Sequence, residues 1–203
     1  RLSGVAPRML TPIQNRRRLA KRTLAARGLD EAVTWSFISE AEARRFGGGA
    51  AELKLANPIA SELTDMRPSL LPGLLGAARR NGHRGFADLA LFEVGQVFHS
   101  AGPDGQRTHA SGIRTGTARL EGGGRHWQGV GRVGVFDAKA DLSALLDALG
   151  HDIEKMQLVA EPAAWSHPGR GGRVQLGPKT IIGWFGEVHP ALVADLDLDG
   201  PIA

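Results

Sequence analysis

The chain has 203 residues, 42% of them hydrophobic and 23% charged, with 28 glycines and no cysteine. That is enough apolar mass for one large domain or two small ones, and it excludes a disulfide framework or a thiolate metal site. The net charge of +4 is uneven: residues 1–30 carry eight basic groups against one acid, a balance of +7, and the remainder carries −3, so a polyanionic or acidic partner is expected near the N-terminus.

Thr11-Pro12-Ile13-Gln14 predicts a helix start, with Thr11 as N-cap, Pro12 at the first helical position and Gln14 completing a capping box. Gly28 is its C-terminal stop. Ile13, Ala20 and Leu24 fall on one side, while Arg18, Lys21 and Arg22 share another. Val33, Trp35 and Phe37 alternate with Thr34 and Ser36, which predicts a strand with one apolar face. Ser39 to Glu42 is a second capping box, opening a short helix that stops at Gly47-Gly48-Gly49. Leu53-Lys54-Leu55 reads as a short strand, broken by Asn57-Pro58.

A helix is expected over 69–82, ended by Asn81-Gly82, and a long strand over 88–98 with Phe92, Val94 and Phe98 on one face. Residues 99–109 read as a loop, and 110–117 and 130–136 as strands about a Gly-rich turn at 121–124. Asp137 is expected to start a helix carrying Leu142, Leu145, Leu146 and Leu149. Residues 171–188 predict a hairpin turning at Gly177-Pro178, and His189-Pro190 opens a last short helix. Strands joined by hairpins, with helices between them, make this an α+β fold with a largely antiparallel sheet.

Four segments, in this order and spacing, resemble the bacterial phenylalanyl-tRNA synthetase β-subunit family in its catalytic-core-like domain. The first runs from Asn57-Pro58-Ile59 through Arg67-Pro68-Ser69-Leu70-Leu71-Pro72-Gly73-Leu74-Leu75, and the second is Leu91-Phe92-Glu93-Val94-Gly95-Gln96-Val97-Phe98. The third is Phe136-Asp137-Ala138-Lys139 with Asp141, Leu145 and Leu146. The fourth is His167-Pro168-Gly169-Arg170 followed by Ile182-Gly183-Trp184-Phe185-Gly186-Glu187-Val188-His189-Pro190.

The resemblance extends from about residue 5 to the last residue and implies a class II aminoacyl-tRNA synthetase-like antiparallel β-sheet flanked by helices. It also implies 1–10 as a linker from a preceding domain and 11–203 as a non-catalytic core domain, truncated at its C-terminal end. The whole enzyme would be a cytoplasmic (αβ)2 heterotetramer joining phenylalanine to tRNA with ATP and Mg2+, its active site on the α-subunit. Editing, Mg2+ and anticodon functions would lie in β-subunit regions outside this chain. Arg1 in place of Met fits a piece of a longer polypeptide, and no apolar run or leader suggests membrane or export.

The residues agree that ATP is not gripped here. Gln96 and His99 occupy places where the resemblance implies that an active relative carries arginines, and neither offers a permanent bidentate fork for phosphate. Catalytic, cofactor-binding and metal residues are therefore expected to be none. Gly172 to Thr180 nearly matches a phosphate loop, but Pro178 removes an amide donor from the cradle, so a hairpin turn is the better reading. His167, Glu187 and His189 could be pictured on a metal, but the seven scattered histidines favour structural roles. For His167-Pro168-Gly169-Arg170 a buried hydrogen-bonded corner is favoured over an interface contact.

Trp35, Phe37, Trp127, Trp165, Trp184 and Phe185 are read as core or subunit interface ahead of base-stacking platforms. Arg16, Arg17, Arg18, Lys21 and Arg22 are read as contacts to a protein partner, with tRNA phosphate as the alternative. Glu93, a carboxylate between Phe92 and Val94, needs a cation, and Arg67 is the expected partner. Neither a G-x-S-x-G elbow nor a cysteine nucleophile supports an independent hydrolase. A scaffolding domain of an RNA-charging ligase leads, and an RNA-binding module acting through its N-terminal basic helix is the rival.

Overall fold

The structure is a computed structural model and describes residues 4, 10–118 and 131–203. Helix α1 (Pro12–Ala26) starts as its caps dictate: the Gln14 amide N–H donates to Thr11 Oγ1, and Gln14 Oε1 accepts the Thr11 N–H at 2.8 Å. Gly28 follows with φ 78°, a conformation that costs glycine little. Ala20 and Leu24 are buried, whereas Ile13 is exposed at the free end.

Strand β1 (Asp30–Glu31) runs parallel to β4 and was not foreseen. The strand expected over 33–37 is largely absent. Only Phe37 of that stretch pairs, in β2 (Phe37–Ile38) against β3 (Asp65–Met66). Helix α2 (Glu40–Arg45) has the expected Ser39–Glu42 box. The strand expected over 53–55 is instead a 3-10 turn, Ala51–Leu53, followed by an isolated bridge from Lys54 to Asp65.

Helix α3 (Leu71–Gly82) buries Leu71, Pro72, Leu74, Leu75 and Ala78. Leu74 and Leu75 are each almost wholly enclosed, worth about 1.5–3 kcal/mol apiece. Strand β4 (Ala90–Phe98) pairs residue for residue with β5 (Gln106–Arg114), so the sequence-expected loop ends at 105, not 109. Phe92 and Val94 pack on one side. On the other side lie Glu93, Gly95 and Val97, so both faces of this strand are covered.

Helix α4 (Val135–Ala148) begins where the strand over 130–136 was expected. Asp137 is not its first residue but sits at its third helical position, where Oδ2 accepts the Gly134 N–H at 2.8 Å. The turn at 121–124, Trp127 and the start of that expected strand lie outside the described residues. Strand β6 (Gln157–Val159), also unforeseen, lines the hairpin of β7 (Ser166–Leu176) and β8 (Thr180–Val188). Helix α5 (Pro190–Asp195) follows, with His189 Nδ1 accepting the Ala191 N–H.

The two three-stranded sheets, β1-β4-β5 and β6-β7-β8, are joined by residues 201–203. Ala203 exchanges two backbone hydrogen bonds with Arg114, and the Ile202 carbonyl accepts the Val188 N–H at 2.8 Å. The result is one mostly antiparallel surface. Leu71, Leu74 and Leu75 of α3 pack on one side with Ile113, Val188 and Ile202. Ala20 and Leu24 of α1 and Leu145 of α4 cover Phe92 and Val94 on the other.

Candidate interaction surface

The segment between β1 and β2 is held by a buried polar knot. Arg67 Nη1 lies 2.9 Å from Glu93 Oε1, with side chains 4% and 5% exposed. Arg67 also donates to Thr34 Oγ1 at 2.9 Å and to the Gln96 carbonyl at 2.9 Å. Thr34 Oγ1 in turn donates to Glu93 Oε2 at 2.6 Å. The guanidinium lies over Gly95, where a Cβ would come within 2.6 Å of Arg67 Nη2. Glycine is needed at Gly95 because the charge pair fills the space above the strand.

Two backbone bonds extend the knot: the Arg67 N–H donates to the Ser36 carbonyl at 3.0 Å and the Phe98 N–H to the Arg67 carbonyl at 2.9 Å. Thr34 packs on Gly73 of α3, where a Cβ would lie 2.7 Å from Thr34 Cβ. Thr34 is therefore fixed from below, and its neighbours point outward: Val33 is 88% exposed and Trp35 70%. Phe37, paired in β2, is half-buried. An exposed tryptophan on a pinned backbone loses little entropy on contact, as suits an interface anchor.

A second knot ties the elements behind this segment. Asp141 on α4 accepts from Arg27 Nε at 2.6 Å and from Arg114 Nε at 2.6 Å, and Arg114 Nη2 donates to the Arg27 carbonyl at 2.9 Å. One carboxylate thus joins the end of α1, β5 and α4. Beside it is a mostly apolar recess of about 110 Å3, lined in part by Leu24, Leu142, Trp165 and Trp184. Sequence reading named Asp141 only within a motif; its two arginine partners lie far away along the chain.

The basic residues of α1 are exposed, Lys21 excepted, which is half-buried and pairs with Glu31. Arg16, Arg17, Arg18 and Arg22 make no ion pair among the described residues.

Gln96 and His99 were expected to stand where an active relative carries arginines. Gln96 and His99 are exposed, and His99 lies against His109 with ring centroids 5.7 Å apart. Of the arginines on β5, Arg114 is held by Asp141, and Arg107 lies exposed opposite Val97. Among the described residues no three His, Asp or Glu side chains gather to hold a metal ion.

The remaining motif residues lie at turns, helix starts and close backbone approaches. Asn57 is exposed and Pro58 half-buried in the turn before β3, and Pro72 is buried at the start of α3. The Lys139 carbonyl accepts from Ser143. At Gly186 a Cβ would meet the Arg170 carbonyl at 2.8 Å, and at Gly183 it would crowd Leu142 of α4 at 3.3 Å. His189 caps α5 and Pro190 begins it.

The corner at 167–170 is not buried. Pro168, Gly169 and Arg170 are exposed, His167 Nδ1 accepts the Gly169 N–H, and Arg170 pairs with the buried Glu187 at 2.8 Å across the hairpin. Of the aromatics read as core or subunit interface, Trp35 and Trp184 are exposed, and Trp165 and Phe185 are half-buried. No helix is long and apolar enough to cross a membrane.

Residues 3–203 match the family model of the phenylalanyl tRNA synthetase beta chain CLM domain. A phenylalanine–tRNA ligase beta subunit from Mesorhizobium japonicum is 55% identical over 200 residues, covering 98% of this chain and 25% of that protein. Beta subunits from Brucella suis (over 200 residues) and Rhodopseudomonas palustris (over 202) are each 56% identical with the same coverage. The chain thus spans about a quarter of the length of the curated relatives it matches. Two solved structures of pyrrolysyl-tRNA synthetase from Desulfitobacterium hafniense share the fold, with TM-scores of 0.66 and 0.64 at 17% and 16% identity, each covering 94% of this chain and 64% of theirs. The α+β architecture is therefore that of a class II aminoacyl-tRNA synthetase core.

Proposed function

This chain belongs to the phenylalanyl-tRNA synthetase β-chain family, and on that premise we propose that it is a docking scaffold rather than a catalytic centre. In this reading it packs on the synthetase α-subunit in an (αβ)2 heterotetramer in the cytoplasm, and the α-subunit uses ATP and Mg2+ to charge tRNA with phenylalanine. What supports the reading is the fate of strand β4: Arg67, Glu93 and Thr34 satisfy one another over Gly95, and the same knot presents Val33 and Trp35 to solvent. A phosphate clamp needs guanidiniums free to grip developing charge. Here the central one is consumed in holding a loop. The exposed arginines of α1 extend the surface toward an acidic partner face.

The test is direct. The chain mixed with the matching α-subunit is expected to associate by light scattering, and alone it is expected to show no ATP–pyrophosphate exchange with phenylalanine. Absence of association sinks the scaffold reading, and exchange above background sinks the non-catalytic one.

A further inference from the structure

Helix α3 ends in a run free of acid, Arg79-Arg80-Asn81-Gly82-His83-Arg84-Gly85-Phe86. All of these residues except Asn81 are exposed, and Phe86 is 60% exposed. Of the carboxylates near it, Asp197 pairs with His83 inside the run at 2.9 Å, Asp195 pairs with Arg45 at 3.1 Å, Glu42 closes the cap of α2, and Asp88, two residues beyond Phe86, accepts the Thr117 N–H at 2.8 Å. Arg79, Arg80 and Arg84 make no ion pair among the described residues.

The backbone of this end is fixed. The Phe86 and Arg84 N–H groups both donate to the Asn81 carbonyl, at 3.1 and 2.9 Å, and Gly85 N–H donates to Gly82 at 2.8 Å. Asn81 Nδ2 donates to the Ala77 carbonyl at 2.9 Å, and Gly85 has φ 90°, which a residue with a Cβ rarely adopts. Cations in the last turn of a helix complement its dipole, which accounts for Arg79 and Arg80. It does not account for Arg84 or for a bare phenylalanine beyond the helix end.

We infer that this end of α3 is a contact site for single-stranded RNA, its guanidiniums holding phosphates and Phe86 offering a face to an unstacked base. Arginine forks match phosphate geometry, and aromatic rings bind bases with little regard to sequence. The choice of RNA over an acidic peptide rests on the family reading above; the positive, aromatic-tipped surface stands on the structure. The site is separate from the basic face of α1.

The experiment uses the full chain and three probes: a labelled single-stranded RNA of about 12 nucleotides, its duplex form, and polyglutamate. Replacing Arg79, Arg80 and Arg84 together by Gln is expected to lower the slope of log K against log salt by about 2, since each single-strand phosphate contact contributes about 0.7. Phe86→Ala is expected to weaken single-strand binding about tenfold and leave duplex binding unchanged. All four positions are exposed, and melting curves check that each variant is folded.

Wild-type RNA binding in either variant overturns the proposal. So does polyglutamate displacing RNA at equal charge concentration, which would mark an acidic protein partner instead. Light scattering with the α-subunit is measured on the same variants. Retained association with lost RNA binding in the variants supports this site, and failed association of the unsubstituted chain that still binds RNA sinks only the scaffold reading.

Discussion

Arg67 and Glu93 meet at 2.9 Å with their side chains 4% and 5% exposed, so neither charge has water to fall back on. Removing one partner of such a pair leaves the other uncompensated, and the loss exceeds what the pair itself contributes. Arg67→Ala is expected to destabilise the fold by about 3–5 kcal/mol, a drop in Tm on the order of 10 °C for a chain of this size. Arg67→Met with Glu93→Leu is expected to recover most of it. An unchanged Tm in Arg67→Ala would show that the pair is not what holds the Thr34 segment.

Gly73 carries the other wall of that segment. A Cβ there would sit 2.7 Å from Thr34 Cβ, and because α3 is anchored in the core, Thr34 is the part that yields. Gly73→Ala is expected to weaken association with the α-subunit, read by light scattering, through the displaced Val33 and Trp35. The mixed effect on folding is separated by comparing it with Trp35→Ala. That variant removes only the 70%-exposed ring and is expected to lose about 2 kcal/mol of association at unchanged Tm.

Asp141 ties α1, α4 and β5 through two arginines. Asp141→Asn keeps the shape and removes the charge, and is expected to cost about 1–3 kcal/mol in urea unfolding at an unchanged m-value. A midpoint equal to wild type would reduce the clamp to a surface contact.

Glu40 is held below the usual glutamate value by its hydrogen bond from Lys54 first and Arg44 second. A depressed carboxyl pKa contributes stability above the unfolded value near 4.5 and loses it as pH falls through the folded one. NMR titration is expected to place Glu40 below that value, and Lys54→Met to move it upward. The exposed setting makes the effect on overall stability slight.

Local chemistry determined much of this molecule. Thr11, Ser39 and His189 mark helix starts because their side chains satisfy amides a few residues away. The hairpin at Gly177 follows from a turn that favours a positive φ. Glu93 predicted its own partner, since a carboxylate inside an apolar strand requires a cation. Family motifs gave the class II fold before any coordinate.

Tertiary structure decided the rest. Alternation at 33–37 says which side chains share a side, but not whether anything covers that side, and Val33 and Trp35 remained bare. Asp141 joins Arg27 and Arg114, and residues 201–203 knit two sheets into one. No local pattern announces such contacts, because their energy comes from groups that only the folded chain brings within hydrogen-bonding reach.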